Sequence, residues 1–209
     1  MKTTIFFILS TSVIIIMTSC GGSNEKTIAK QKEPTKIVSI SPTVVATSKA
    51  PIINLQDTIA IKQTLLCLKD SASTKEKMYA KLCNIYNIKL TDCLKANKIS
   101  ASGNPVVWHT KQKNAFFFEA GIPVNKTPNK LGKGMYIKNT NNDSVFVAHF
   151  FGPNDLSASA YDALNEKLND LKKQKVGGIY EIYFDNYFLV SKVPKDFYKL
   201  RTDIVLPFK

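Results

Sequence analysis

Gly103-Asn104-Pro105-Val106-Val107-Trp108 and Gly178-Ile179-Tyr180-Glu181-Ile182-Tyr183 are two runs that start at glycine and continue into β-branched and aromatic residues. Such residues suit a pleated, half-buried surface, so both runs read as strands. Matching pairs flank them in the same order. Asp57-Thr58-Ile59-Ala60-Ile61 resembles Asp143-Ser144-Val145-Phe146-Val147, and Tyr79-x-x-Leu82 recurs as Tyr161-x-x-Leu164. Phe118-Glu119-Ala120-Gly121-Ile122-Pro123 parallels Thr202-Asp203-Ile204-Val205-Leu206-Pro207. Four ordered matches predict an α+β fold built from a duplicated strand-helix-strand-strand module. Its halves would pack about a pseudo-twofold axis with a central groove between them.

Two amphipathic helices belong to this scheme. The first opens on Ser73-Thr74-Lys75-Glu76, a capping-box pattern, and carries Met78, Leu82, Ile85 and then Lys89 at helical spacing, so its stripe is interrupted late. The second carries Tyr161, Leu164, Leu168 and Leu171. Strand-like runs cover Thr58–Leu68, Pro105–His109, Ala115–Pro123, Ser144–Phe151, Ile179–Phe184 and Thr202–Phe208. Together these place one folded domain at residues 56–209.

The N-terminal part reads differently. Lys2 precedes two apolar runs, Ile5–Leu9 and Val13–Met17, and then Thr18, Ser19 and Cys20. A charged start, a short apolar core and a small-residue cleavage site make a secretory signal. The cysteine directly after that site resembles the lipobox of bacterial lipoproteins, with Met17 where leucine is usual. The expectation is a signal peptide at 1–19 and lipidation of Cys20, palmitate among its acyl groups. The mature chain would then be anchored to a membrane of the cell envelope, on its periplasmic or surface side. Residues 20–55 would form a tether, since their Lys, Thr, Ser, Pro and Ala offer little surface to bury.

Export bears on the remaining chemistry. The net charge is +13, and the signal peptide holds only Lys2 of it. A cytosolic chain this basic would suggest nucleic acid, but an exported one points to a solvated surface or anionic head groups, so no nucleic-acid partner is expected. Cys67, Cys83 and Cys93 are odd in number and lack zinc spacing, and the histidines are His109 and His149 alone. Buried thiols are expected, with no metal and no cofactor; if a disulfide forms, Cys83 with Cys93 is the pair. His149 reads as a structural residue in an apolar strand.

The chain resembles the GyrI-like family, the AraC-type effector-binding domains, over about residues 56–209. The resemblance is carried by Gly103–Trp108, Phe118–Val124, His149-Phe150-Phe151-Gly152-Pro153, Ala160–Leu164, Glu181-Ile182-Tyr183 and Leu200–Phe208. Asp203 stands where the family has glutamate, and Trp108 where it often has tyrosine. The resemblance implies a central groove that binds small organic molecules, often apolar or cationic. Some stand-alone relatives hydrolyse strained electrophiles with a groove carboxylate and aromatic groups.

Strand alternation names the groove residues. Tyr180, Ile182 and Phe184 share one face, and Glu181 and Tyr183 the other. The fully apolar face should pack on the helices, sending Glu181 and Tyr183 to the groove. Phe117 and Glu119 lie together on their strand, and Trp108 follows from its match to Tyr183. Asp203 is expected at the surface. The function read from these residues is a lipoprotein that captures a small amphipathic or cationic ligand through Glu181, Tyr183, Trp108, Glu119 and Phe117. A hydrolase with Glu181 as general base and Tyr183 or Trp108 placing the substrate is the alternative. A structural or protein-interaction lipoprotein is the third reading.

Overall fold

In the computed structural model the described residues are 49–184 and 196–209. The expected signal peptide, Cys20 and most of the tether lie outside them. The strands are β1 (Ile52–Ile59), β2 (Thr64–Ala72), β3 (Val106–Gln112), β4 (Ala115–Pro123), β5 (Met135–Asn139), β6 (Ser144–Phe151), β7 (Tyr180–Tyr183) and β8 (Arg201–Phe208). The helices are α1 (Lys75–Asn84), α2 (Thr91–Asn97) and α3 (Ala158–Asp170). One antiparallel sheet contains all eight strands, in the order β1-β6-β8-β7-β3-β4-β2-β5. The architecture is α+β, as the sequence predicts.

Three sequence expectations are corrected. The run Thr58–Leu68 is not one strand: it ends β1, passes through Ala60–Gln63 and starts β2 on the other side of the sheet. No Gly or Pro marks that break. β1 also starts at Ile52, inside the span assigned to the tether, because pairing with β6 from Ile52↔Phe151 onward satisfies its backbone. β5, five residues long, was missing from the expected strands.

The helices share one face. A row of paired residues runs Ala148–Ile204–Glu181–Val107–Ala120–Leu68 across β6, β8, β7, β3, β4 and β2. Ile204 and Ala148 pack with Leu164 and Leu168 of α3. Val107, Ala120 and Leu68 pack with Met78 and Leu82 of α1. Glu181 therefore stands between the two cores, on the helix-bearing face. Tyr183 belongs to the α1 core, whereas Tyr180 and Ile182 pack on the opposite face with Leu65, Val106 and Val205. The expectation that the fully apolar face meets the helices is overturned. A satisfied carboxylate and a large tyrosine ring take that position instead.

The late interruption of the first stripe has a local cause. Residues Ile85–Leu90 form a π-helical turn between α1 and α2. Its wider turn moves the buried position from Lys89 to Leu90, and burial continues through Cys93 and Leu94. Helix thus runs from Lys75 to Asn97, which also settles the cysteines. Ten residues of helix separate Cys83 from Cys93 by about 15 Å, beyond the roughly 7 Å a disulfide allows. Cys67, Cys83 and Cys93 are all free thiols.

The sheet must curl. β1 and β2 are six strand spacings apart, about 29 Å in a flat sheet. The link Ala60–Gln63 reaches about 18 Å at full extension. β5 and β6 stand equally far apart and are joined as briefly, through Thr140–Asp143. The two links bind each other: the Ala60 N–H donates to the Asp143 carbonyl at 2.8 Å, and the Thr140 N–H to the Gln63 carbonyl at 2.9 Å. The two edges of the sheet are thereby drawn together into a half-barrel, with the helices outside.

The α3 stripe supplies a test. Leu164 is fully buried, while Leu171 falls beyond the helix and is 50% exposed. Leu164→Ala should lower stability by about 2–5 kcal/mol, and Leu171→Ala by no more than about 0.5 kcal/mol. Urea denaturation of the two variants checks the assignment.

Candidate functional site

Glu181 is 5% exposed, so its charge needs partners within the protein. Three side chains supply them. Tyr161, from the first turn of α3, donates its hydroxyl to Oε1 at 2.6 Å. Tyr183, two residues along β7, donates to Oε2. His109 Nε2 lies 3.2 Å from Oε1 and also 3.2 Å from the Tyr161 hydroxyl. No Lys or Arg pairs with Glu181 among the described residues.

Burial is the largest single influence on the Glu181 carboxyl and pushes its pKa up. The hydrogen bond and charge of His109, with the two phenols, outweigh burial and hold it below the ordinary value. Tyr161 responds in the opposite sense. Burial and the adjacent carboxylate raise its phenol well above the ordinary value, so it stays a hydrogen-bond donor.

A cavity of about 400 Å³ adjoins this cluster. It forms because β7 begins at Tyr180 and pairs with β3 only as far as Trp108. Beyond that point His109 and Thr110 have no neighbour on that side, and the chain enters through Gly178 and Ile179. His109 and Tyr161 form the wall between this notch and Glu181, and Phe117 flanks the opening, 49% exposed. Lys69, Asp70, Glu119 and Lys175 supply charge around it.

The five residues expected to share one groove fall into two groups. Glu181 and Tyr183 are together on the helix-bearing face. Trp108, Phe117 and Glu119 are on the opposite face and reach the same notch from behind it. The match of Trp108 to Tyr183 was out of register. Val107 pairs with Glu181, so His109, not Trp108, comes to the carboxylate, and a one-residue slip reverses the face of every side chain. Trp108 and Glu119 are also already engaged. Lys138 Nζ sits 3.6 Å from the Trp108 ring centroid and 2.7 Å from Glu119 Oε1. That leaves neither as an open cation-binding group.

Asp203 is a further correction, since it is buried rather than at the surface. β8 lies inside the sheet, and Asp203 accepts two bonds from Arg201 at 2.8 Å and contacts His149 Nδ1 at 2.7 Å. His149 in turn meets Gln56 of β1 at 2.9 Å, so it is hydrogen-bonded on both nitrogens. Sequence reasoning missed His109 and Tyr161 as site residues. Tyr161 had a signal, since it was half of the recurring Tyr-x-x-Leu pair.

No protein-family model and no curated protein matches the sequence. Solved structures do match. The C-terminal domain of EcmrR aligns with a TM-score of 0.61 at 17% identity, over 76% of this chain and 98% of that one. EcmrR in its DNA complex gives the same score and identity, and there this chain covers 57% of the longer protein. A hydrolase from Listeria innocua aligns at 0.51 with 9% identity, over 74% of this chain and 91% of that one. Identities this low show the fold alone. It is the fold of the EcmrR C-terminal domain.

The depressed Glu181 carboxyl makes an acid-sensitivity prediction. A carboxyl whose pKa is lower folded than unfolded contributes stability above its unfolded value, about 4.3. That stability is lost as pH falls through the folded value. Denaturation midpoints of wild type and Glu181→Gln should differ at pH 7 and converge as pH drops below about 4. A gap that does not change with pH would show that the charge of Glu181 plays no part.

Proposed function

We propose that this chain is an envelope lipoprotein, anchored through lipid on Cys20, that binds a small amphipathic cation in the notch beside Glu181. The carrying observation is a buried carboxylate that has His109 but no Lys or Arg as partner among the described residues, separated from a cavity only by the side chains that hold it. His109 is the ionisable side chain that faces it, and burial still works against the charge. A cation seated against the Tyr161 ring would add to the support from His109 from the far side of the wall, with a cation–π attraction of about 0.5–2 kcal/mol. Phe117 offers an apolar flank for the rest of the ligand.

The same reading includes the duplicated module. Exchanging β1–β4 for β5–β8 leaves the strand order unchanged when it is read backwards, which supports a pseudo-twofold relation. In that scheme each half has two strands before its helix, not one. Tyr79 and Tyr161 then stand as equivalent tyrosines in the first turns of α1 and α3, and Tyr79 is near enough to the Tyr161 and Tyr183 phenols to help raise them.

The hydrolase alternative asks Glu181 to take a proton from water. Its pKa is held low and three donors occupy its oxygens, so it is a weak and poorly accessible base. Binding is therefore the reading the site supports better.

Calorimetry with a pair of dyes of matched size, one cationic and one neutral, tests the ligand class. Glu181→Gln keeps the shape of the site and should weaken the cationic dye at least tenfold while changing the neutral one by less than threefold. Equal loss for both, or loss for neither, overturns the reading. The anchor is tested separately. Cys20→Ser should abolish acyl labelling and release the protein from membranes, and retained labelling would contradict it.

A further inference from the structure

The helix-free side of the sheet holds a second chamber, and we infer that it binds a single-chain amphiphile without negative charge, such as a fatty alcohol. The inference does not rest on the Glu181 reading. The curl of the sheet encloses this space, and the links Ala60–Gln63 and Thr140–Asp143 roof it. Beneath the roof lie two adjoining cavities of about 190 and 280 Å³, which share Ala60, Trp108, Thr140, Val145 and Tyr180. The smaller is floored by Leu65, Val106, Val147, Ile182 and Val205. An apolar space this large inside a half-barrel is of the kind that small barrels use to hold one ligand.

The lining sets the class of occupant. The floor is aliphatic, so the buried part of the ligand must be apolar. Ile61, at the edge of the smaller cavity, is 79% exposed and gives the entrance an apolar lip. The rim of the larger cavity carries Asn139, Thr140 and Asn141, which suit a hydroxyl or amide head. Charge at the walls is already balanced or is unfavourable to anions. Lys138 is bound to Glu119, Asp203 is held by Arg201 and His149, and Asp143 lies near enough to Tyr180 to raise its phenol. A carboxylate head would meet Asp143 and be repelled by it.

Trp108 is the single tryptophan and lines both of these cavities as well as the notch. Its emission therefore reports any of the three, and substitutions separate them. Thr58, on exposed β1, and Ala60, in the roof, line the chamber but not the notch, whereas Thr110 lines the notch alone. Titration of the full chain with 1-decanol should change Trp108 emission saturably, with decanoate at least tenfold weaker. Thr58→Phe and Ala60→Phe should each weaken decanol at least tenfold, and Thr110→Phe should leave it within twofold. Circular dichroism confirms that each variant is folded. The two chamber variants act from different segments, so either one decides the matter. Two results overturn the proposal: no saturable change in wild-type emission or melting temperature with decanol, or a loss in Thr110→Phe as large as in the chamber variants. Glu181→Gln should bind decanol like wild type, so failure here and failure of the cation reading are distinguishable.

Discussion

The structure turns on one buried negative charge. Glu181 occupies the middle of a row that is otherwise apolar, between the α1 and α3 cores. A carboxylate there is tolerable only while its oxygens are filled, and the filling comes from three separate elements: β3, β7 and α3. The short pairing of β7 with β3 places His109 at the carboxylate and, by ending early, opens the notch beside it. Position, counter-group and cavity all follow from that register.

Legibility in the sequence divided along physical lines. The strands with β-branched and aromatic runs and the α1 and α3 helices were readable, because periodic burial leaves a direct trace. The β1–β2 break was not, because Ala60–Gln63 contains no turn residue and its geometry is set by the distant link Thr140–Asp143. Nor was β5, where five residues give too short a period to stand out. The π turn shows the converse. Its cause was visible as a misplaced Lys89, but an ideal helical period cannot absorb an extra residue.

The site was legible only in part, for a related reason. Glu181 and Tyr183 were found because alternation along one strand is fixed by the backbone. The choice of face was wrong because an apolar face was taken to be the buried one. Here both faces are covered, one by helices and the other by the curl of the sheet and its links, so polarity did not distinguish them. Trp108 and His109 were exchanged by a single-residue shift in matching β3 to β7. Local similarity cannot fix a cross-strand register at that precision.

The central claim is that Glu181 is ionised inside the fold and completed by a ligand's charge. Carbon-13 NMR of the glutamate carboxyls, assigned with Glu181→Gln, observes that group itself. The account predicts a Glu181 signal that stays ionised down to a pH below the ordinary glutamate range and shifts saturably when a cationic dye is added. A Glu181 carboxyl protonated at neutral pH, or one whose signal ignores a dye that calorimetry shows to be bound, would contradict it.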